Sequence, residues 1–267
     1  MNRPRHTLIR RAAILDVLNH LTDRDRDLID ALGAHQVLTT HQIARAWFTS
    51  PERARARLAV LHHLDVLTRF RQPLPSGSAP FHYLLGYNGA CLHAAATGTP
   101  WPRPATIAER AARIAGSPKL AHTLGVNDFL THLLAHTRTH DWHLAWHNET
   151  QAAERTGGMV KPDAHATITT TDTRVEFYYE HDTGSEDHNR LAAKLERYRH
   201  LIEPMPVLIE LSSSVREANL HKALSTRTYP FTVATTHTGL SDRPAGSIWT
   251  PLHGTGSTSI LDLGARR

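Results

Sequence analysis

The sequence predicts an α+β protein in two parts, and three observations carry that expectation. Residues 20–65 hold helical segments that each open on a capping residue and are joined by a few residues only. Two β-prone runs follow them, separated by a tip rich in Pro, Ser and Gly. Beyond three prolines at 98–104, helical and β-prone segments succeed one another in the order α-β-β-β-α-β.

The composition fits this division. A chain of 267 residues with 40% hydrophobic side chains is long enough for two ordinary domains and rich enough for buried cores. Its formal charge of +5 and pI near 9.6 favour a polyanionic partner. That charge is concentrated: residues 1–110 carry 14 Arg and no Lys against 8 acids, so the N-terminal part is the expected nucleic-acid binder. The single cysteine, Cys91, excludes an internal disulfide, and with no Cys/His cluster of zinc spacing the chain suits a reducing cytoplasm. The 21 histidines are scattered and read as surface residues. No apolar run approaches the roughly 18 residues of a membrane span, and the basic N-terminus lacks the apolar core of a secretion signal.

Taken in order, the chain opens on a basic arm and a short helix at Ile9 to Leu18. Thr22 caps a first helix with Asp25 at its third position, Leu28, Ile29 and Leu32 on its apolar stripe and Gly33 as its stop. Thr39 or Thr40 caps a second helix with Ile43, Ala44, Trp47 and Phe48 buried. Ser50 and Pro51 open a third, whose core side is Leu58, Leu61 and Leu64. The short connection between the second and third helices predicts a helix-turn-helix, and the β-prone segments Val66 to Arg71 and Phe81 to Leu85 add a wing. An N-terminal winged helix-turn-helix is therefore expected, binding double-stranded DNA through Arg53, Arg55 and Arg57 on the third helix and Arg69 and Arg71 on the wing. Alternate-residue arginines cannot all share one helix face, so two of the first three are expected to reach DNA. The alternative is a winged helix used for protein contact.

A helix from Asn88 to Thr97 completes a domain over residues 1–97, and a Pro-rich linker over 98–105 follows. The second domain is expected over 106–240, with an irregular Gly-, Ser- and Pro-rich tail over 241–267. Its elements are helices from Thr106 to Ala115 and from Lys119 to His140, a strand from Trp142 to Glu149 and a loop to Val160. A hairpin of Ala164 to Thr170 with Arg174 to Tyr179 comes next, then a helix Glu186 to His200 and a strand Pro206 to Leu211. A helix Val215 to Leu224 and a strand Phe231 to Thr236 extend the sheet.

The hairpin sets Asp163 at the start of one strand and Glu180 at the end of the next. A register pairing those ends brings two carboxylates to one rim of the sheet, an arrangement that meets the demand of Mg²⁺ for oxygen ligands. Asp128 on the long helix is either a helix-surface carboxylate or a group aimed at the same rim. The plain alternative is a turn aspartate after Pro162 and a solvated strand-end glutamate.

Several stretches in series carry a family resemblance: LTDRDRDLIDAL, LTTHQIARAWF, RARLAVLHHLDVLTRFR, HTLGVNDFL, KPDAHATI, and FYYEHDTGSE with KLERY. Together, over about residues 20–210, they resemble the replication-relaxation family of actinobacterial and plasmid-borne proteins. The resemblance implies a role in plasmid replication or in DNA relaxation during mobilisation. It also implies that the second domain is restriction-endonuclease-like, of the PD-(D/E)xK nuclease type. Pro162-Asp163 then matches the PD element and Glu180 the acidic position of (D/E)xK, both as ligands of Mg²⁺ or Mn²⁺. The lysine position holds Asp182, which cannot stabilise the charge developing on phosphorus and could instead add to the metal ligands. Lys194 on the following helix is the leading substitute, ahead of Lys161, and Asp128 stands for the acid that nucleases carry on their first helix. Two functions follow: a metal-dependent endonuclease delivered by the winged helix, or a non-catalytic regulator. The regulator would recruit a relaxase, a replication initiator or another copy of the chain as a homodimer.

Overall fold

The computed structural model describes residues 14–73, 76–184, 187–240 and 243–264. The start of the helix expected from Ile9, the wing-tip residues Leu74 and Pro75, and Ser185 and Glu186 of the FYYEHDTGSE stretch lie outside the described residues. The chain is a mixed α+β protein, with a three-stranded and a six-stranded sheet among the described residues. It divides into two compact units, Met1–Leu124 and Gly125–Arg267. Among the described residues no helix is long and apolar enough to cross a membrane.

The first unit is built from α1 (Asp23–His35), β1 (Leu38–Thr39), α2 (Thr40–Trp47), α3 (Pro51–His63), β2 (Leu67–Phe70), β3 (His82–Leu85), α4 (Tyr87–Ala96) and α5 (Pro104–Ala115). Its caps are those the sequence announces. Thr22 and Asp25 form a reciprocal capping box, Thr39 and Gln42 form a second, and the Ser50 hydroxyl accepts from the Arg53 N–H with Pro51 at the first helical position. Gly33 does not stop α1, which runs on to His35 and ends at Gln36 with φ 69°. Leu28, Ile29, Leu32, Ile43, Leu58 and Leu61 close into one core against Leu67, Tyr83 and Leu85. β2 and β3 pair antiparallel with Leu67 opposite Leu85, and β1, read from the sequence only as a short apolar stretch, joins β3 on its other side.

The Pro-rich segment is shorter than the sequence suggests, because Pro104 is already the first residue of α5, where a missing N–H costs nothing. Ile114 and Leu120 then bury against Val37 and Leu84, and Gln72 donates to the Ala115 carbonyl at 2.8 Å. These contacts tie residues 104–124 to the first unit. The division between the units accordingly falls within α6 (Leu120–Thr137), past the point where the prolines had placed it.

The second unit centres on the six-stranded sheet, in the order β4 (His143–Asn148), β5 (Ala164–Thr169), β6 (Arg174–Asp182), β7 (Val207–Leu211), β8 (Val233–His237), β9 (Thr250–Pro251). β4, β5 and β6 are antiparallel, β6, β7 and β8 are parallel, and β9 closes the edge antiparallel. The parallel connections run through α8 (His188–Tyr198) and α9 (Ser214–Leu224), whose Leu195 and Leu220 pack with Tyr178 and Ile209 on one face. The opposite face carries Tyr179 and Leu208 under α6, with Val126, Phe129 and Leu133 above them.

Two expectations are corrected. The loop expected between 149 and 160 contains α7 (Glu149–Arg155), capped by Asn148 and Gln151. The tail is not irregular throughout. It supplies β9 and the short helix α10 (Ile260–Gly264), and it seats the fully buried Trp249, whose indole N–H donates to the Pro244 carbonyl at 2.8 Å. Sparse apolar residues in a Gly- and Ser-rich stretch give no periodic signal, yet each here covers the sheet.

Candidate active site

The antiparallel register of β5 and β6 pairs Ala164 with Tyr179, so the next position outward sets Asp163 against Glu180. That rim lies at the carboxyl ends of β6, β7 and β8, where open α/β sheets offer their ligand crevice. Asp163 Oδ2 accepts from the main-chain N–H of His181 at 2.8 Å. Glu180 is buried, and α8 provides both of its partners: Lys194 Nζ donates to Oε2 and the Tyr198 hydroxyl to Oε1, the latter at 2.6 Å. Lys194 and Tyr198 are four residues apart and therefore share one face of the helix. Of the residues singled out from the sequence, Asp163, Glu180 and Lys194 are brought together.

The electrostatics are those of a crowded acidic site. Burial, and then the Asp163 carboxylate, push the Glu180 pKa up to about 7 against the opposing pull of Lys194 and Tyr198. Burial works to lower the Lys194 pKa, but the carboxylates of Glu180, Asp163 and Glu149 outweigh it and raise it, so the ammonium stays charged. The Tyr198 phenol is pushed well up by burial and by Glu180. Glu180 thus takes one proton donor on each oxygen, the Lys194 ammonium and the Tyr198 phenol, with the Asp163 carboxylate beside them. Asp163 and Glu180 are the groups here that could hold a divalent cation, and a cation would relieve their repulsion.

The other two acids are placed differently. Asp182 shares the face of Glu180 but is gripped by Arg216, with Nε to Oδ2 at 2.5 Å and Nη2 to Oδ1 at 3.1 Å, and it accepts from the Gly184 N–H at 2.8 Å. Asp128 sits on α6, across the sheet from Glu180, 3.5 Å from His132 Nε2 and 42% exposed. Among the described residues no three His, Cys, Asp or Glu side chains assemble as a metal site.

Sequence reasoning missed five contributors. Tyr198 had a usable signal, its four-residue spacing from Lys194 in KLERY. Arg216 had none, since only tertiary structure carries it to Asp182. On the other face Tyr179 donates to Glu210 Oε2 at 2.6 Å, and the His181 ring lies 3.9 Å from Glu210 Oε1. The His181 ring is seated against Gly125, where an added Cβ would stand 2.0 Å from Nε2. The residue whose main chain holds Asp163 is thereby fixed by a buried polar cluster.

In the first unit the three arginines of α3 separate. Arg53 is exposed, and Arg55 makes an exposed pair with Glu52 at 2.8 Å. Arg57 turns back onto the protein, reaching the buried Asp25 at 2.6 Å and the His20 carbonyl at 2.7 Å. Burial works to raise the Asp25 pKa, but the Arg57 and Thr22 hydrogen bonds prevail and hold it below the ordinary carboxylate range. Arg57 is thus committed to the fold.

The family model described as Replication-relaxation matches residues 29–206, two thirds of the chain and both units. No curated protein and no solved structure matches it.

Proposed function

Because the chain belongs to the replication-relaxation family, we propose that it is a DNA-binding protein of plasmid replication, relaxation or mobilisation whose second unit is a PD-(D/E)xK-like, metal-dependent DNA nuclease. The observation that supports catalysis is the meeting of Asp163, Glu180 and Lys194 at the carboxyl rim of the sheet. Asp163 and Glu180 would hold Mg²⁺ or Mn²⁺, which when bound supplies activation of water and neutralisation of phosphate charge. Lys194 provides the positive charge that Asp182 cannot, from the helix instead of the strand. Tyr198 fixes the carboxylate of Glu180, and Arg216 keeps Asp182 from adding a third negative charge to the cluster.

The first unit acts in this reading as a winged helix that delivers double-stranded DNA. Its support is the closely joined α2 and α3, the β2/β3 hairpin, the exposed Arg53 and the wing arginines Arg69 and Arg71. Arg55 contributes from its exposed pair with Glu52, and Arg57 holds the helices together.

One observation favours a second reading. Both oxygens of Glu180 already have partners, so Lys194 can serve as the permanent counter-ion of a site that binds no metal. The protein would then be a non-catalytic regulator recruiting a relaxase, a replication initiator or another copy of itself. Nicking of supercoiled plasmid with Mg²⁺ or Mn²⁺ separates the two. The nuclease reading expects cleavage by the natural chain, loss of at least about a hundredfold in Asp163→Ala, and a cation-dependent rise in melting temperature in the natural chain alone. Equal, cation-independent behaviour of both proteins would establish the regulator.

A further inference from the structure

Two arginines of the first unit share one aromatic ring. The guanidinium carbon of Arg69 lies 3.9 Å from the centre of the Phe81 ring and that of Arg71 lies 3.7 Å from it. Strand geometry produces the arrangement: residues 69 and 71 project to one face of the small sheet, and the register that pairs Phe70 with His82 continues to Phe81 beside Arg71. Phe70 stacks on His82 at 4.9 Å on the other face, while on this one the Phe81 ring lies 6.1 Å from that of the buried Tyr83. Among the described residues neither guanidinium has a carboxylate within ion-pair distance.

Two like charges centred on one ring repel, and the ring alone offsets only part of that cost. An anion would offset the rest, and planar guanidinium forks match phosphate oxygens. The Phe81 carbonyl accepts from the Thr40 N–H at 2.9 Å and from the Thr40 hydroxyl at 3.3 Å, and the side chain packs on the core of the unit. The platform under the arginines is therefore anchored to the first turn of α2.

We propose that Phe81 is the positioning residue of a two-arginine seat, Arg69 and Arg71, that takes one backbone phosphate of nucleic acid. This rests on the DNA-binding reading above. The seat is assembled before DNA arrives, so its arginines lose little freedom on binding.

The test is duplex binding by the full chain across a salt series, with melting temperature as the folding control. Replacing both Arg69 and Arg71 by Ala should weaken binding and reduce the steepness of log K against log salt by about 0.9, the value of one neutralised phosphate. Phe81→Leu keeps both charges, so it should weaken binding about five- to thirtyfold with the salt slope retained. Phe81→Tyr keeps the ring face and should bind as the natural chain does. Arg69→Lys with Arg71→Lys keeps the charge without the planar forks and should resemble Phe81→Leu, which covers the case in which Phe81→Leu fails to fold. Natural affinity in Phe81→Leu or in the double lysine variant would overturn the seat. Inorganic phosphate at matched ionic strength raising the melting temperature of the natural chain, but not of the double alanine variant, would overturn the nucleic-acid assignment in favour of free phosphate. If the natural chain binds no duplex at low salt, the DNA-binding reading itself falls, a result distinct from any difference among variants.

Discussion

Burial of Glu180 between Asp163, Lys194 and Tyr198 makes its carboxyl a source of pH-dependent stability. Its folded pKa of about 7 stands above the ordinary 4.5, so between these values the folded chain retains a proton that the unfolded chain has lost. The stabilisation is therefore full below pH 4.5 and is lost as pH rises through 7. Glu180→Gln keeps the shape and has no proton to release, so the natural chain should lose melting temperature relative to this variant between pH 5 and 7.5. Calorimetry over that window measures it, and a constant difference would mean the carboxyl does not titrate there. The residue scale also shows the limit of reading arginines from sequence. Arg53, Arg55 and Arg57 are alike as letters, and helical spacing said only that they diverge. What separates them is Asp25, whose burial depends on the capping box at Thr22 and whose second partner comes from 32 residues away.

At the scale of elements, what was legible followed from local chemistry. The capping boxes, Pro51 at the start of α3 and the β5/β6 hairpin are each written within a few residues, and the hairpin register carried Asp163 to Glu180 as the alternation required. α7 was missed although Asn148 and Gln151 bond reciprocally at 3.1 Å, because seven residues give too few turns for an apolar period to show. Trp249 and Ile260 were missed for a different reason. Their burial is settled by the sheet face they cover, a partner remote in sequence. The contact of α6 with β6 is of this second kind, since nothing around Gly125 announces that His181 will lie on it. Gly125→Ala would drive a methyl into that ring, and His181 is hemmed in by the Tyr179 hydroxyl and Glu210, so the strain should cost about 1–3 kcal/mol. Denaturant unfolding would show the loss. The Lys194–Glu180 pair lies on the other face and gives a contrast: a cation response weakened in step with the disturbance of His181 would show that Asp163 is held through it, and an unchanged one that it is not.

At the scale of the whole molecule, the prolines and the buried contacts disagree about where the first unit ends, and the contacts decide it. Glycine, threonine and three prolines at 98–104 look like a boundary because they interrupt periodicity, but a break in periodicity marks the end of an element and not of a core. α5 begins at the last of these prolines and returns to the small sheet, where Ile114 closes the face of Val37 and Leu84 that the helices α1 to α3 do not reach. Full burial of one such side chain contributes about 1.5–3 kcal/mol, and the Gln72 bond to Ala115 adds about 1 kcal/mol, against a typical domain stability of about 5–15 kcal/mol. A fragment of residues 1–103 should therefore be less stable than one of residues 1–118 by about 2–4 kcal/mol, although both contain every candidate DNA-contacting arginine. Urea unfolding of the two fragments measures the difference. Equal midpoints and slopes would mean that α5 does not belong to the first core, whereas the expected gap would make 1–118 the fragment on which DNA binding can be tested without confusing lost contacts with lost fold.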